Sequence, residues 1–165
     1  MAGPVHPLVF WTLGLLNTSS YAIMLASAKN ISEGGTALVF IANILPALAI
    51  KLSAPYWFDK VSYDMRLTMG SILMASAFCT VAFFQGSQSE NALYFQLVGV
   101  AFASAQTGMG EASLLALAGA SDASRAKPQC LTCFASGTGL AGVFGFLFKY
   151  MLNSVLGLSM RMTLI

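Results

Sequence analysis

Glu111 is the residue whose position most constrains its chemistry. It stands inside the apolar run AFASAQTGMGEASLLALAG, whereas most of the other acidic residues fall in polar stretches. An ionised carboxylate at the centre of a membrane helix costs roughly 2.5–3.5 kcal/mol on insertion scales, so it faces protein or a wet cavity, pairs with a cation, or stays protonated. Ser104 and Thr107 precede Glu111 at helical spacing, which places the three on one face. Two uses fit such a stripe. It lines a route for a small polar solute, with Glu111 as a proton or counter-charge site because burial disfavours the charged form of a carboxyl group. Alternatively, it hydrogen-bonds to a neighbouring helix and holds a bundle together.

Other polar residues in apolar runs have the same two readings. Lys51 is at a depth broadly similar to Glu111, and Lys149 is near the opposite end of its run. Each is a candidate cation for Glu111, or a side chain that snorkels its ammonium group to the headgroups. Asn43 and Ala47 precede Lys51 at four-residue intervals, with Pro46 beside them. Proline frees a carbonyl, which a membrane tolerates only beside a partner or water, so Pro46 marks a kink that needs company. Gly14, Asn17 and Tyr21 share a face further upstream. Their amide and phenol suit either a polar solute or interhelical hydrogen bonds.

Small residues form two seams. Gly137, Ala141 and Gly145 make one, with Gly139 and Gly142 thinning the other side of the same run. Gly99, Ala103, Gln106 and Gly110 make the second. Small side chains let helix backbones approach closely, so the two seams are expected to face each other. Cys130 and Cys133 form a C-x-x-C, but His6 is the single histidine and no second cysteine pair exists. Two small side chains packed inside a helix are expected there, not a metal site. With no H-E-x-x-H, no G-x-S-x-G and no aspartate pair in the apolar runs, neither catalysis nor a cofactor is expected.

These residues must be positioned by membrane helices. The chain has 165 residues, of which 57% are hydrophobic and 8% charged, and its mean hydropathy is +0.75. Soluble domains carry about 25% charged residues, so a cytosolic enzyme, a nucleic-acid binder and a disordered segment are excluded. A bilayer core needs about 20 mostly apolar residues per helix. Five runs meet that length, at about 8–28, 36–58, 67–84, 92–120 and 131–151, and a partial sixth follows Asn153 and Ser154. The expected fold is an all-α polytopic bundle forming a single transmembrane domain, with the lipid bilayer as its surroundings. Lys60, Arg66, Arg125 and Lys127 flank the second and fourth connections, against Lys29 alone in the first and third. The excess of positive charge places those two connections, and the N-terminus, in the cytosol. Asn30-Ile31-Ser32 then forms a possible glycosylation sequon on the lumenal side.

Four segments in order, FWTLGLLNTSSYAIMLASA, ANILPALAIKLSAP, SAQTGMGEASLLALA and ASGTGLAGVFG, closely resemble the battenin family of lysosomal and vacuolar membranes. The resemblance covers nearly the whole chain. It implies a major-facilitator-like fold of two pseudo-symmetric halves, and residence in an endolysosomal or vacuolar membrane. It also implies a part in lumenal pH balance and in transport of basic amino acids or glycerophosphodiesters. Asn17, Tyr21, Asn43, Lys51, Glu111, Gly137 and Thr138 fall within the matching motifs, and all of these but Gly137 join Ser104 and Thr107 as the expected residues of a solute pathway. The segment from Asp59 and Lys60 to Arg66 faintly resembles the acidic-basic loop of facilitator proteins, without its usual glycines. Battenin-like chains are twice as long or more, so the expectation is the N-terminal half of such a transporter. That half works with a missing C-terminal half or a second copy, because facilitator-type sites lie between two halves. The rival expectations are a membrane scaffold or adaptor in lysosomal trafficking, and a truncated product without transport activity.

Overall fold

The computed structural model describes residues 6–26, 36–84, 91–120 and 126–155. Every regular element among them is helical. They are α1 (Pro7–Ala26), α2 (Thr36–Trp57), a short 3-10 turn (Phe58–Lys60), α3 (Tyr63–Phe84), α4 (Ala92–Ala120) and α5 (Ala126–Tyr150), which ends in a π-helical turn over Met151–Val155. Asn30 and the other residues of the first connection lie outside the described residues, as do residues 156–165, where a sixth helix was expected.

Two helices start earlier than their apolar runs. α3 begins at Tyr63 instead of Leu67, because Ser62 accepts the Met65 N–H on Oγ at 3.4 Å and the Arg66 N–H on its carbonyl at 3.1 Å. α5 begins at Ala126 instead of Leu131, with Pro128 in its first turn, where no helical donor is lost. Arg66 and Lys127 therefore sit in first turns, not in connections. At the far end of α3, Gln96 Nε2 of α4 donates to the Phe84 carbonyl at 2.7 Å, satisfying one of the acceptors that a helix end leaves open.

α4 is the hub: it touches each of the other four helices, and its longest contacts are with α3 and α2. The most extensive pairing of all joins α1 to α5. Two apolar clusters lie at opposite ends of α4. Val100 and Ala103 join Ile23, Val39, Ala77, Val81 and Ala82 at one end. Leu114 and Ala118 join Phe10, Cys130 and Phe134 at the other. Between them runs a band containing Ser104, Gln106, Thr107, Glu111 and Ser113.

The small-residue seams pack against other helices than expected. Carbons added at Gly137 and Gly14 would collide with the carbonyl oxygens of Trp11 and Phe134, and one at Gly145 would lie 2.7 Å from Ala22 Cβ. The Gly137–Gly145 seam, with the fully buried Ala141 between, therefore serves α1 instead of α4. Gly99 fits against α3, where an added carbon would be 2.7 Å from Val81 Cγ2, and Gly110 fits against Asn17 of α1. Gly108 lets α4 approach α2, since a carbon there would meet Ala47 Cα at 2.8 Å. Gly139 and Gly142 have nothing within 4 Å.

Five spans were expected from apolar length. Among the described residues three stretches are long and apolar enough to cross a membrane: Ala37–Lys60, Tyr63–Phe84 and Pro128–Ser154. No more than 22% of the most apolar part of each is buried in the bundle. α4 falls short because its polar band dilutes its hydropathy. That band is turned inward: Ser104, Gln106, Thr107 and Ser113 are all buried.

Candidate functional site

α2 and α4 cross where Gly108 meets Ala47, and the two helices carry complementary charges one turn beyond. Lys51 Nζ donates to Glu111 Oε2 at 2.7 Å. The lysine is 41% exposed and the glutamate 27%, so the pair sits at the mouth of the site. Lys51 thus partners the carboxylate, and no cation from α5 is needed.

Behind the pair is a cavity of about 260 Å³ lined by Thr18, Tyr21, Asn43, Ile44, Ala47, Leu48, Lys51, Thr107 and Glu111. Five of the eight expected pathway residues are there: Tyr21, Asn43, Lys51, Thr107 and Glu111. Asn43 is wholly buried, and neither Oδ1 nor Nδ2 has a hydrogen-bond partner. Thr18 Oγ1 is also buried and unpartnered. A buried amide without partners is costly unless something visits it.

The other three expected residues are engaged elsewhere. Ser104 Oγ accepts the Ala47 N–H at 3.0 Å, so this hydroxyl serves the backbone of α2 one residue beyond Pro46. Proline bends a helix and disturbs its local ladder, and Ser104 satisfies the donor that follows. Asn17 is saturated. Its Nδ2 donates to the Thr107 carbonyl at 3.2 Å, and its Oδ1 accepts from Gln106 Nε2 at 3.1 Å. Ser20 Oγ completes the cluster by donating to Gln106 Oε1 at 3.0 Å. This network locks α1 to α4, and Gly110 makes room for it. Thr138 lies on α5 beside Gly14 of α1, remote from the cavity lining, with its hydroxyl buried and unpartnered.

Thr18 was missed by the sequence reading. Its signal was available: it precedes Tyr21 by three residues and so shares its face. Gln106 was assigned to a packing seam, yet it is the centre of a polar cluster. Cys130 is fully buried beside Phe10 and Phe134, and Cys133 is half-buried on the same helix.

The site thus offers hydroxyls, an amide, one cation and one anion in a space open at one side. It is suited to holding a small polar molecule by hydrogen bonds and by competition with the ion pair.

Comparison with known proteins bears on what such a site serves. Residues 8–165 match the family model described as CLN3 protein. The protein BTN1 of Yarrowia lipolytica is 34% identical over 158 residues, covering 94% of this chain and 37% of the relative. BTN1 of Saccharomyces cerevisiae is 33% identical over 159 residues, covering 94% and 36%. Protein btn-1 of Neurospora crassa is 31% identical over 160 residues, covering 96% and 33%. The chain spans roughly a third of the length of these curated relatives. No solved structure matches it. With a match over nearly its whole length and helices able to cross a bilayer, this multi-pass membrane chain belongs to the CLN3 protein family, the battenin family.

Proposed function

We propose that this chain forms one helical group of a solute transporter of the lysosomal or vacuolar membrane, and that the cavity between α1, α2 and α4 is part of its solute route. The observation that carries this reading is Asn43: a wholly buried amide with both polar atoms unpartnered, on the wall of a cavity with an ion pair at its mouth. A small polar solute supplies the missing partners. Glu111 carries the proton or counter-charge, and Lys51 exchanges between the carboxylate and the solute. Lumenal pH homeostasis follows from coupling solute flux to a proton.

In this reading all five helices cross the membrane, in a major-facilitator-like half with its N-terminus in the cytosol. α4 is the central helix, since it touches each of the other four. The facing half is the remainder of a battenin-length protein or a second copy, since facilitator-type sites lie between two helical groups. No nucleic acid is involved, since the net charge is only +2 and is scattered.

The test is uptake of labelled basic amino acids and glycerophosphodiesters by acidified vesicles bearing the protein. Glu111→Gln should flatten the dependence of uptake on pH, and Lys51→Met should lower uptake at every pH. Uptake by Glu111→Gln that follows the unmodified protein across the acidic range removes Glu111 from the mechanism. Absence of flux for every solute, alongside normal membrane insertion, favours a scaffold instead.

A further inference from the structure

A second cavity, on the other side of α4, has no part in that reading. It measures about 350 Å³ and lies between α1 and α3 with α4 as its floor. Leu13, Leu16, Leu67, Met74 and Leu114 make most of its wall apolar. Arg66 also lines it, and this residue is only 8% exposed. It is held between two rings, with Cζ 4.6 Å from the centroids of both Phe58 and Tyr63. The rings attract the cation but provide no lone pair for its N–H donors. Among the described residues no carboxylate forms an ion pair with Arg66. Its Nε is buried without a hydrogen-bond partner, and so is Oγ of Ser113, another residue of the same wall. The Tyr63 hydroxyl is already committed to the Ser113 carbonyl.

A buried cation without an anion is strongly unfavourable, so the site is electrostatically incomplete as it stands. A guanidinium fork matches the oxygens of a phosphate group. Free phosphate and a phospholipid headgroup share that chemistry, and the walls distinguish them: apolar side chains run from the Arg66 end along the crevice. Leu16 and Leu67, which border it, are 57% and 45% exposed on the outer surface of the bundle. Cationic pockets between membrane helices are established seats for lipid headgroups in general. We propose that the crevice between α1 and α3 seats an anionic phospholipid, with its phosphate on Arg66 and Ser113 and one acyl chain against Leu13, Leu67 and Met74.

The test uses the whole chain purified in a neutral detergent. Binding is measured by native mass spectrometry and by thermal unfolding, with phosphatidic acid, phosphatidylcholine or inorganic phosphate as probe. Phosphatidic acid should bind about tenfold or more tightly than phosphatidylcholine, the scale of a hydrogen bond to a charged group. Inorganic phosphate at the same concentration should not displace it. Arg66→Gln should abolish the preference and Ser113→Ala should weaken it. Lys60→Gln, which removes an exposed charge from the adjoining turn, should leave it intact. Should Arg66→Gln fail to fold, Gly70→Leu provides the second test. A carbon added at Gly70 meets nothing nearer than Gln106 Cγ at 3.9 Å, so the larger side chain grows into the crevice and should block the lipid. Equal binding of the two lipids, or equal loss with Lys60→Gln, overturns the proposal. Displacement by inorganic phosphate overturns the lipid assignment in favour of a free-anion site.

Discussion

Replacing Asn43 by leucine separates a site from a packing residue, because stability and activity should move in opposite directions. Leucine keeps the same branched skeleton of four side-chain heavy atoms and removes both polar ones. In the structure these atoms are buried and unpartnered, beside a cavity with room for the slightly larger methyl groups. An unsatisfied buried polar group costs about 1–3 kcal/mol. In membranes the unfolded reference state also finds partners, and measured polar contributions average about 0.6 kcal/mol. Allowing for both, Asn43→Leu should stabilise the folded chain by about 1 kcal/mol, with a contribution of a few tenths from the better helix propensity of leucine. Solute uptake should fall at least about tenfold, the equivalent of 1.4 kcal/mol of lost interaction. Unfolding in mixed micelles reads the first quantity, and vesicle uptake under identical conditions reads the second. A variant destabilised by about 1 kcal/mol or more that retains full uptake refutes the reasoning, since it would show that the amide serves the fold and not a solute.

Three further pairs of substitutions probe the packing that holds this site. Gly137→Ala should destabilise by about 1–3 kcal/mol, because the new carbon meets the Trp11 carbonyl oxygen, whereas Gly139→Ala on the open side should be neutral or stabilising; thermal unfolding of the pair provides the comparison. Ser104→Ala should cost about 1 kcal/mol or more by stranding the Ala47 N–H, and Pro46→Ala in the same chain should recover part of that loss by restoring the regular α2 ladder, a coupling that a double-mutant cycle measures. Reversing one partner of the ion pair, as Lys51→Glu or Glu111→Lys, should lower the yield of folded protein, while the double exchange should restore it; failure of the exchange to improve on either single variant would show that the two charges act independently.

The helices were legible because bilayer length and apolar composition constrain them directly. Their ends were legible only where they coincided with the apolar runs. Tyr63 and Ala126 open their helices in polar sequence, where a serine cap and a first-turn proline decide, and hydropathy carries no such signal. The Lys51–Glu111 pairing was open on sequence because depth alone does not say which helices are neighbours. Helix order in space was the missing information. It also explains the seams: small-residue spacing marks a face that packs closely but not its partner, so the glycines of α5 met α1. Ser104, Thr107 and Glu111 do share a face as their spacing requires. Yet the three do different work, because each meets a different part of α2 or α1: a backbone donor beyond Pro46, the edge of the Asn17 cluster, and Lys51.

α4 shows how a helix that carries a polar band becomes the centre of an apolar bundle. Its ends are anchored by the two apolar clusters, which supply buried area but little preference for one rotation about the helix axis. Rotation is fixed by the polar band, where Ser104 answers α2, Gln106 answers α1 and Glu111 answers Lys51. Most polar atoms in the band are satisfied in this way, which makes the unsatisfied ones informative. Gln96 Oε1 and Thr138 Oγ1 stand apart, but Thr18 and Asn43 line one cavity, and Arg66 and Ser113 line the other. Packing faults would leave such atoms wherever side chains failed to meet. Here the unpartnered donors and acceptors gather around two spaces on opposite sides of the same helix, and each group has a distinct chemistry. One combines an amide and a hydroxyl with an ion pair, and the other combines a guanidinium and a hydroxyl with apolar walls. That separation is the physical reason for assigning them different occupants, a small polar solute on the α2 side and a lipid phosphate on the α3 side.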